Sequence, residues 1–299
     1  MYDIVIIGGG PAGLTAALYA ARAGKSVMIL EANAFGGQIA TAPRVENFPS
    51  VNEIAGAELA NKMFEQATAH GVEFDMGNAT VAKTKQGFSV TTEYGSYDCY
   101  AVVLATGVSH KKLGVTGEDK QGVCYCAVCD GAFYKDKSVC VVGDGNSAAQ
   151  YALYLAETCS EVQLLTMFNR LFCDKELVDR IVANDKIIWT KNVSVTEVLG
   201  DDKVEGVVYR DDDGAITYLD TDAVFVAIGQ EPHNEQFAKL IKLDEKGFVI
   251  AGEDCKTSCE GIFVAGDCRT KSMRQCATAV GDGAIAGFSA AMYVDKLKN

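Results

Sequence analysis

The chain of 299 residues has no dense run of lysine and arginine: 27 basic side chains face 40 acidic ones, for a net charge of −13. Binding to a phosphate backbone needs clustered cations, so no nucleic-acid partner is expected and the acidic surface reads as a solvated one. Also lacking is any apolar run long enough to span a bilayer. The sequence enters a strand pattern at Tyr2-Asp3-Ile4-Val5-Ile6-Ile7 with no charged leader or signal core before it. The expectation is a cytoplasmic protein with no membrane association. Eleven cysteines, an odd number without a secretory signal, fit a reducing compartment better than a framework of structural disulfides. Cys99, Cys140 and Cys159 sit in or beside apolar stretches, where a thiol packs as a small hydrophobe.

What is present is ordinary globular composition, 48% apolar and 22% charged, in a chain long enough for two cores. An internal repeat organises it. Ile4-Val5-Ile6-Ile7, the turn Gly8-Gly9-Gly10-Pro11-Ala12-Gly13, a helix through Arg22 and the strand Ser26 to Glu31 form a first nucleotide-binding unit. Val139-Cys140-Val141-Val142, the turn Gly143-Asp144-Gly145-Asn146-Ser147-Ala148, a helix through about residue 157 and the strand Glu161 to Leu165 form a second. This predicts an α/β fold with two Rossmann-like parallel-sheet domains.

In the first turn Gly8 permits the tight bend, Gly10 lets the backbone approach a pyrophosphate, and Gly13 allows the helix to pack closely on the strand. The helix N-terminus then faces the phosphates. Glu31, ending the second strand, suits a ribose hydroxyl and repels a 2′-phosphate, which selects FAD or NAD over NADP. Near the far end, Gly261-Ile262-Phe263-Val264-Ala265-Gly266-Asp267 reads as a strand ending in an acid ahead of a helix from about Arg274. Asp267 can bind the polar chain of a dinucleotide or cap that helix.

Upstream of the second turn lies Cys126-Ala127-Val128-Cys129-Asp130. Two cysteines at this spacing close a short disulfide easily, a helix N-terminus favours the thiolate, and a neighbouring carboxyl can donate and later accept a proton. Cys124, two residues before Cys126, prompts zinc as the alternative, but a fourth ligand at finger-like spacing is missing and no metal is expected.

These residues together resemble the low-molecular-weight thioredoxin reductases over essentially the whole chain. The matching pieces are Gly8 to Gly13, Gly36-Gly37-Gln38, Glu46-Asn47-Phe48-Pro49, Ala105-Thr106-Gly107, Cys126 to Gly131, Gly266-Asp267 and Arg274-Gln275. The resemblance implies a homodimer acting on thioredoxin. It places an FAD domain at about 1–112 and 242–299, with an inserted pyridine-nucleotide-type domain at 113–241 carrying the disulfide, and hinges near 112–117 and 236–243. It implies FAD contacts from Gly8, Gly10, Pro11, Ala12, Gly13, Glu31, Gly37, Gln38, Asn47, Ala105, Thr106, Gly107, Gly266, Asp267, Arg274 and Gln275. By the same resemblance Cys129 takes electrons from the flavin, Cys126 attacks the partner disulfide and Asp130 supplies the proton.

The second unit departs from that family. Where its members carry a His-Arg-Arg stretch and a further arginine to grip the NADPH 2′-phosphate, this chain has Thr166, Met167, Phe168 and Phe172, with Arg170 alone nearby. Losing two or three charge-assisted hydrogen bonds at roughly 1.5–3 kcal/mol each weakens NADPH by orders of magnitude. Asp144 adds a carboxylate where a pyrophosphate would lie, and no acid replaces the arginines to suit NADH. The resemblance then narrows to the ferredoxin-dependent flavin thioredoxin reductases. A plant-type ferredoxin near about −400 mV lies below thioredoxin at about −270 mV, so the transfer is downhill. Arg269, Lys271 and Arg274, then Lys111 and Lys112, are candidate cations for docking an acidic ferredoxin. The alternatives are an NAD(P)H-dependent reductase with a remodelled nucleotide site, a non-catalytic flavin/dithiol redox sensor, and a dithiol oxidase using oxygen.

Overall fold

The computed structural model describes residues 1–42 and 45–298. Two compact units share the chain: one combines Met1–Ser109 with a second segment that begins at Glu231, and the other is the insertion His110–Gln230. The return to the first unit therefore comes at Glu231, ahead of the position 242 that the sequence suggests. The segment between them includes the short helical turn Glu235–Phe237, whose Phe237 is buried in the first unit's core.

The split unit is built on a seven-stranded sheet. Strand Tyr2–Ile7 pairs in parallel with Val27–Glu31 on one side and Ser96–Leu104 on the other, and Ile262–Val264 adds to Ser96–Leu104 in parallel. Side chains alternate across a strand, so Ile4 and Ile6 join one core cluster while Val5 and Ile7 join another. Helices Pro11–Arg22 and Cys276–Lys298 cover the first of these faces. A sheet buried on both faces needs continuous apolar strands, which explains why Ile4 to Ile7 shows no polar alternation.

The inserted unit repeats the arrangement. Its five-stranded parallel sheet runs Ile187–Thr190, Glu161–Leu165, Ser138–Val142, Ala223–Val226, Val123–Cys124. The pairs Ile4–Val27 and Ile7–Leu30 recur there as Val139–Val162 and Val142–Leu165. Val139 and Val141 pack under helix Asn146–Ala156, whereas Cys140 and Val142 face Val193, Val198 and Val207 of a three-stranded antiparallel sheet. The expected architecture of two Rossmann-like domains, the second inserted in the first, is the observed one.

Candidate functional site

In the split unit the first glycine turn is held from two sides. Gly8 adopts φ +110°, and a Cβ there would lie 2.2 Å from the Ala105 carbonyl oxygen, so a side chain cannot be accommodated. Gly9 N donates to Glu31 Oε2 at 2.6 Å and Asn33 N donates to Glu31 Oε1 at 2.9 Å, which fixes the buried Glu31 carboxylate at its strand end. Pro11 occupies the first helical position, where a missing N–H costs nothing, with Ala12 and Gly13 buried behind it. Gly37 comes close to Gly10, and the Gln38 amide donates to the Val108 carbonyl.

The remaining candidates arrive from distant parts of the chain. Ala105 N donates to Ile7 O at 2.7 Å, and Thr106 Oγ1 donates to Asn234 Oδ1 at 2.8 Å, just before Gly107 turns at φ +66°. Asn47 Nδ2 donates to Gln275 Oε1 at 3.1 Å. Gly266 N donates to Asp282 Oδ2 at 3.0 Å, and Arg274 Nε donates to the Asp267 carbonyl at 3.1 Å while its guanidinium lies 4.2 Å from the centre of the Phe248 ring. Gly8, Glu31, Ala105 and Gly266 thus stand at the carboxyl ends of neighbouring parallel strands, the edge where such sheets bind ligands. Asp267 Oδ1 is buried there with no hydrogen-bond partner among the described residues. Burial pushes its carboxyl up to about 6, although Lys271 and Arg274 pull the other way.

Two of the cations considered for docking are not surface groups. Arg269 donates through Nε and Nη2, each at 2.8 Å, to the two oxygens of Asp282, and Lys271 Nζ donates to Asp282 Oδ2 at 2.9 Å. The Arg269 and Lys271 side chains are only 4% and 7% exposed. Burial opposes ionisation of Asp282, but the hydrogen bonds from Arg269 and Lys271 outweigh it and hold the carboxyl below its usual range. A paired, desolvated cation is unavailable to a partner, so Arg269 and Lys271 fall out of that role; half-buried Arg274 is engaged by Phe248 and two carbonyls.

In the inserted unit Cys126 and Cys129 are joined in a disulfide with Cα atoms 5.3 Å apart. Cys126 caps the short helix Ala127–Asp130, its Sγ accepting from Cys129 N at 3.2 Å. Burial pushes the Asp130 carboxyl up to about 6. Cys124 is buried, with its thiol turned to Gly122 O and the Tyr134 hydroxyl, and burial raises it to about 12.

The second glycine turn keeps the backbone of the first. Gly143 has φ +147°, and a Cβ on it would lie 2.4 Å from the Ala227 carbonyl oxygen. The residues around it differ. Asp144 folds across the turn: its Oδ1 accepts from Phe168 N at 3.0 Å and its carbonyl accepts from Phe172 N at 2.6 Å. Thr166, in the place Glu31 holds in the first unit, is fully buried; its Oγ1 donates to Phe168 O at 2.8 Å and accepts from Trp189 Nε1 at 3.0 Å. Met167 and Phe168 are exposed, and Arg170 lies 4.7 Å from the centre of the Phe172 ring.

The pyridine nucleotide-disulphide oxidoreductase family pattern matches residues 2–283. Thioredoxin reductases of Bacillus subtilis and Listeria monocytogenes are 40% and 39% identical over 304 aligned positions, covering all of this chain and 96% and 95% of those proteins. The chain belongs to the thioredoxin reductase family. The crystal structure of thioredoxin reductase from Streptococcus pyogenes superposes with a TM-score of 0.94 at 41% identity, covering 99% of each chain.

Thioredoxin reductases are flavoproteins that use FAD, and the split unit fits that group. Asp267 Oδ1 lacks a donor that a hydroxyl-bearing dinucleotide chain can supply. Glu31 is fixed at its strand end, and the turn over Gly8 to Gly10 opens at the N-terminus of a twelve-residue helix. Sequence reasoning missed Asn234 and Asp282. Asn234 is fully buried, accepts from Thr106 and donates to Gly247 O and Cys268 O, yet its local sequence carries no signal. Asp282 did carry one: a lone acid in the small-residue helical stretch 276–294 needs a buried cation.

Reactive and inert thiols should separate cleanly under alkylation. Iodoacetamide labelling of the native protein, before and after mild reduction, is expected to differ only at Cys126 and Cys129 in a peptide mass map. Cys99, Cys124 and Cys255, each raised to about 12 by burial, together with Cys140 and Cys268, should label only after unfolding.

Proposed function

We propose that this chain is a flavin-dependent thioredoxin-disulfide reductase that draws its electrons from reduced ferredoxin rather than NADPH. The split unit, through the residues around Gly8, Glu31 and Asp267, holds FAD. When bound, FAD accepts electrons and delivers a pair to a disulfide. The Cys126–Cys129 bond accepts that pair. Cys126 then attacks one sulfur of the thioredoxin disulfide, forming a mixed disulfide and expelling the other sulfur as a thiolate. Attack of Cys129 on Cys126 releases reduced thioredoxin and restores the starting bond. Asp130 supplies the proton for a departing thiolate and recovers it afterwards. Two ferredoxin electrons balance each turnover.

The observation that carries the choice of donor is Thr166. At the strand end where a dinucleotide ribose is read, its side chain is fully buried and satisfied internally, and exposed Met167 and Phe168 follow it. The nearby cations are engaged by aromatic rings, Arg170 by Phe172 and Lys191 by Trp189, and are not gathered as a 2′-phosphate clamp. One observation favours an NAD(P)H-dependent second reading: the inserted unit retains the full strand, glycine turn, helix and strand in the register of the first. With Arg269 and Lys271 committed to Asp282, docking of an acidic ferredoxin is assigned to the exposed Lys112. We assign the protein to the cytoplasm on the same family grounds. A homodimer is supported by Ile285, Phe288 and Met292, exposed at helical spacing along Cys276–Lys298; sedimentation at the mass of two chains is the expected result.

Turnover decides between donors. Thioredoxin should be reduced catalytically with reduced ferredoxin and not with NADPH or NADH, and comparable turnover with NADPH would select the second reading. For Asp130, raised to about 6 by burial, the protonated form is present below that value and is lost as pH rises through it. Thioredoxin reduction should therefore decline across that range. Asp130→Asn should remove this limb and lower the rate by roughly 10²–10⁴-fold, measured by single-turnover reduction from pH 5 to 8.

A further inference from the structure

The two glycine turns form an internal comparison. In the split unit a carboxylate at the end of the second strand, Glu31, accepts from the peptide N–H two residues on, Asn33, and from Gly9 N in the turn. In the inserted unit the corresponding peptide N–H, that of Phe168, is also held by a carboxylate. That carboxylate comes from Asp144, inside the turn. The backbone closure beside it recurs across a loop one residue longer: Gly36 N donates to Gly9 O at 2.8 Å, and Phe172 N donates to Asp144 O at 2.6 Å. The acid has moved from the strand to the turn, while the connection it secures has stayed.

The move has a steric counterpart. A Cβ at Gly9 would lie 2.5 Å from the ring of Phe35, which covers that turn. In the inserted unit the residue before the closing peptide N–H, where Phe35 precedes Gly36, is Leu171 before Phe172, which has no aromatic ring to cover the turn. The rest of the turn remains open, since a Cβ on Gly145 would meet nothing within 4 Å, and the helix Asn146–Ala156 that follows is eleven residues long.

From this we infer that Asp144 is a specificity-determining residue that, together with Thr166, excludes pyridine dinucleotides from this crevice, by stretching a carboxylate from the glycine turn to Phe168 N across the place a pyrophosphate would occupy. The inference rests on the reading of a donor other than NADPH and adds how the exclusion works. Two like charges brought into contact at one turn repel, whereas at the strand end the same carboxylate meets hydroxyls. Removing the charge should admit a dinucleotide. Returning an acid to the strand should then favour one with a free ribose 2′-hydroxyl.

The test uses the FAD-loaded protein with ADP-ribose, which carries both ribose and pyrophosphate and has no redox chemistry. Binding is read by calorimetry and by the fluorescence of Trp189, the chain's single tryptophan, whose Nε1 donates to Thr166. Asp144→Asn preserves the acceptor for Phe168 N and should bind ADP-ribose about tenfold or more tightly than wild type, with ferredoxin-driven turnover unchanged. Asp144→Gly combined with Thr166→Glu should bind more tightly still and shift the Trp189 emission; it decides the matter if the asparagine variant does not fold. Affinity unchanged from wild type in a folded variant with full flavin content overturns the inference while leaving the donor assignment standing. Tight binding by the wild-type protein overturns both.

Discussion

The whole site depends on a glycine pressed against a carbonyl oxygen. Gly8 against Ala105, and Gly143 against Ala227, let a strand turn sharply into a helix while the neighbouring strand stays paired beside it. Any side chain at either position would push that neighbour away and blunt the crevice at the sheet's carboxyl edge. With both contacts intact, each unit presents a row of peptide N–H groups at a helix N-terminus. What each crevice can bind is then decided by a few side chains around that row.

Much of this was legible in the sequence because it is periodic or local. The strand, turn, helix and strand of each unit follow from apolar runs and glycine spacing, and the helix Pro11–Arg22 ends at the expected residue. The Cys126–Cys129 bond follows from a spacing that needs no tertiary information. Long-range pairing was not legible. Arg269 and Lys271 looked like surface cations because Asp282 lies a helical stretch away in the chain, and only the fold brings the three into one buried cluster. Asn234, which joins Thr106 to the Gly247 and Cys268 carbonyls, sits in an unremarkable polar stretch. The partner of Asp144 was hidden for the same reason: a carboxylate in a turn has many local options, and the one taken crosses to the far side of the crevice.

The contrast between the units carries the functional argument. The split unit has a buried acid, Asp267, whose Oδ1 has no hydrogen-bond partner among the described residues, and an acid, Glu31, fixed at its strand end by Gly9 N and Asn33 N. In the inserted unit the residue at the Glu31 position, Thr166, is used up by Phe168 and Trp189, and Asp144, at the Gly9 position, is bonded to Phe168. Polar groups already paired gain little by binding a ligand, and they cost a hydrogen bond when displaced. The inserted unit carries the Cys126–Cys129 pair and Asp130, whose burial pushes its carboxyl up to about 6.

The most direct test of this account is an anaerobic titration of the oxidised holoprotein followed by flavin absorbance. The account predicts that excess NADPH leaves the flavin band unchanged, whereas successive equivalents of reduced ferredoxin bleach it. Stoichiometric bleaching by NADPH would contradict it.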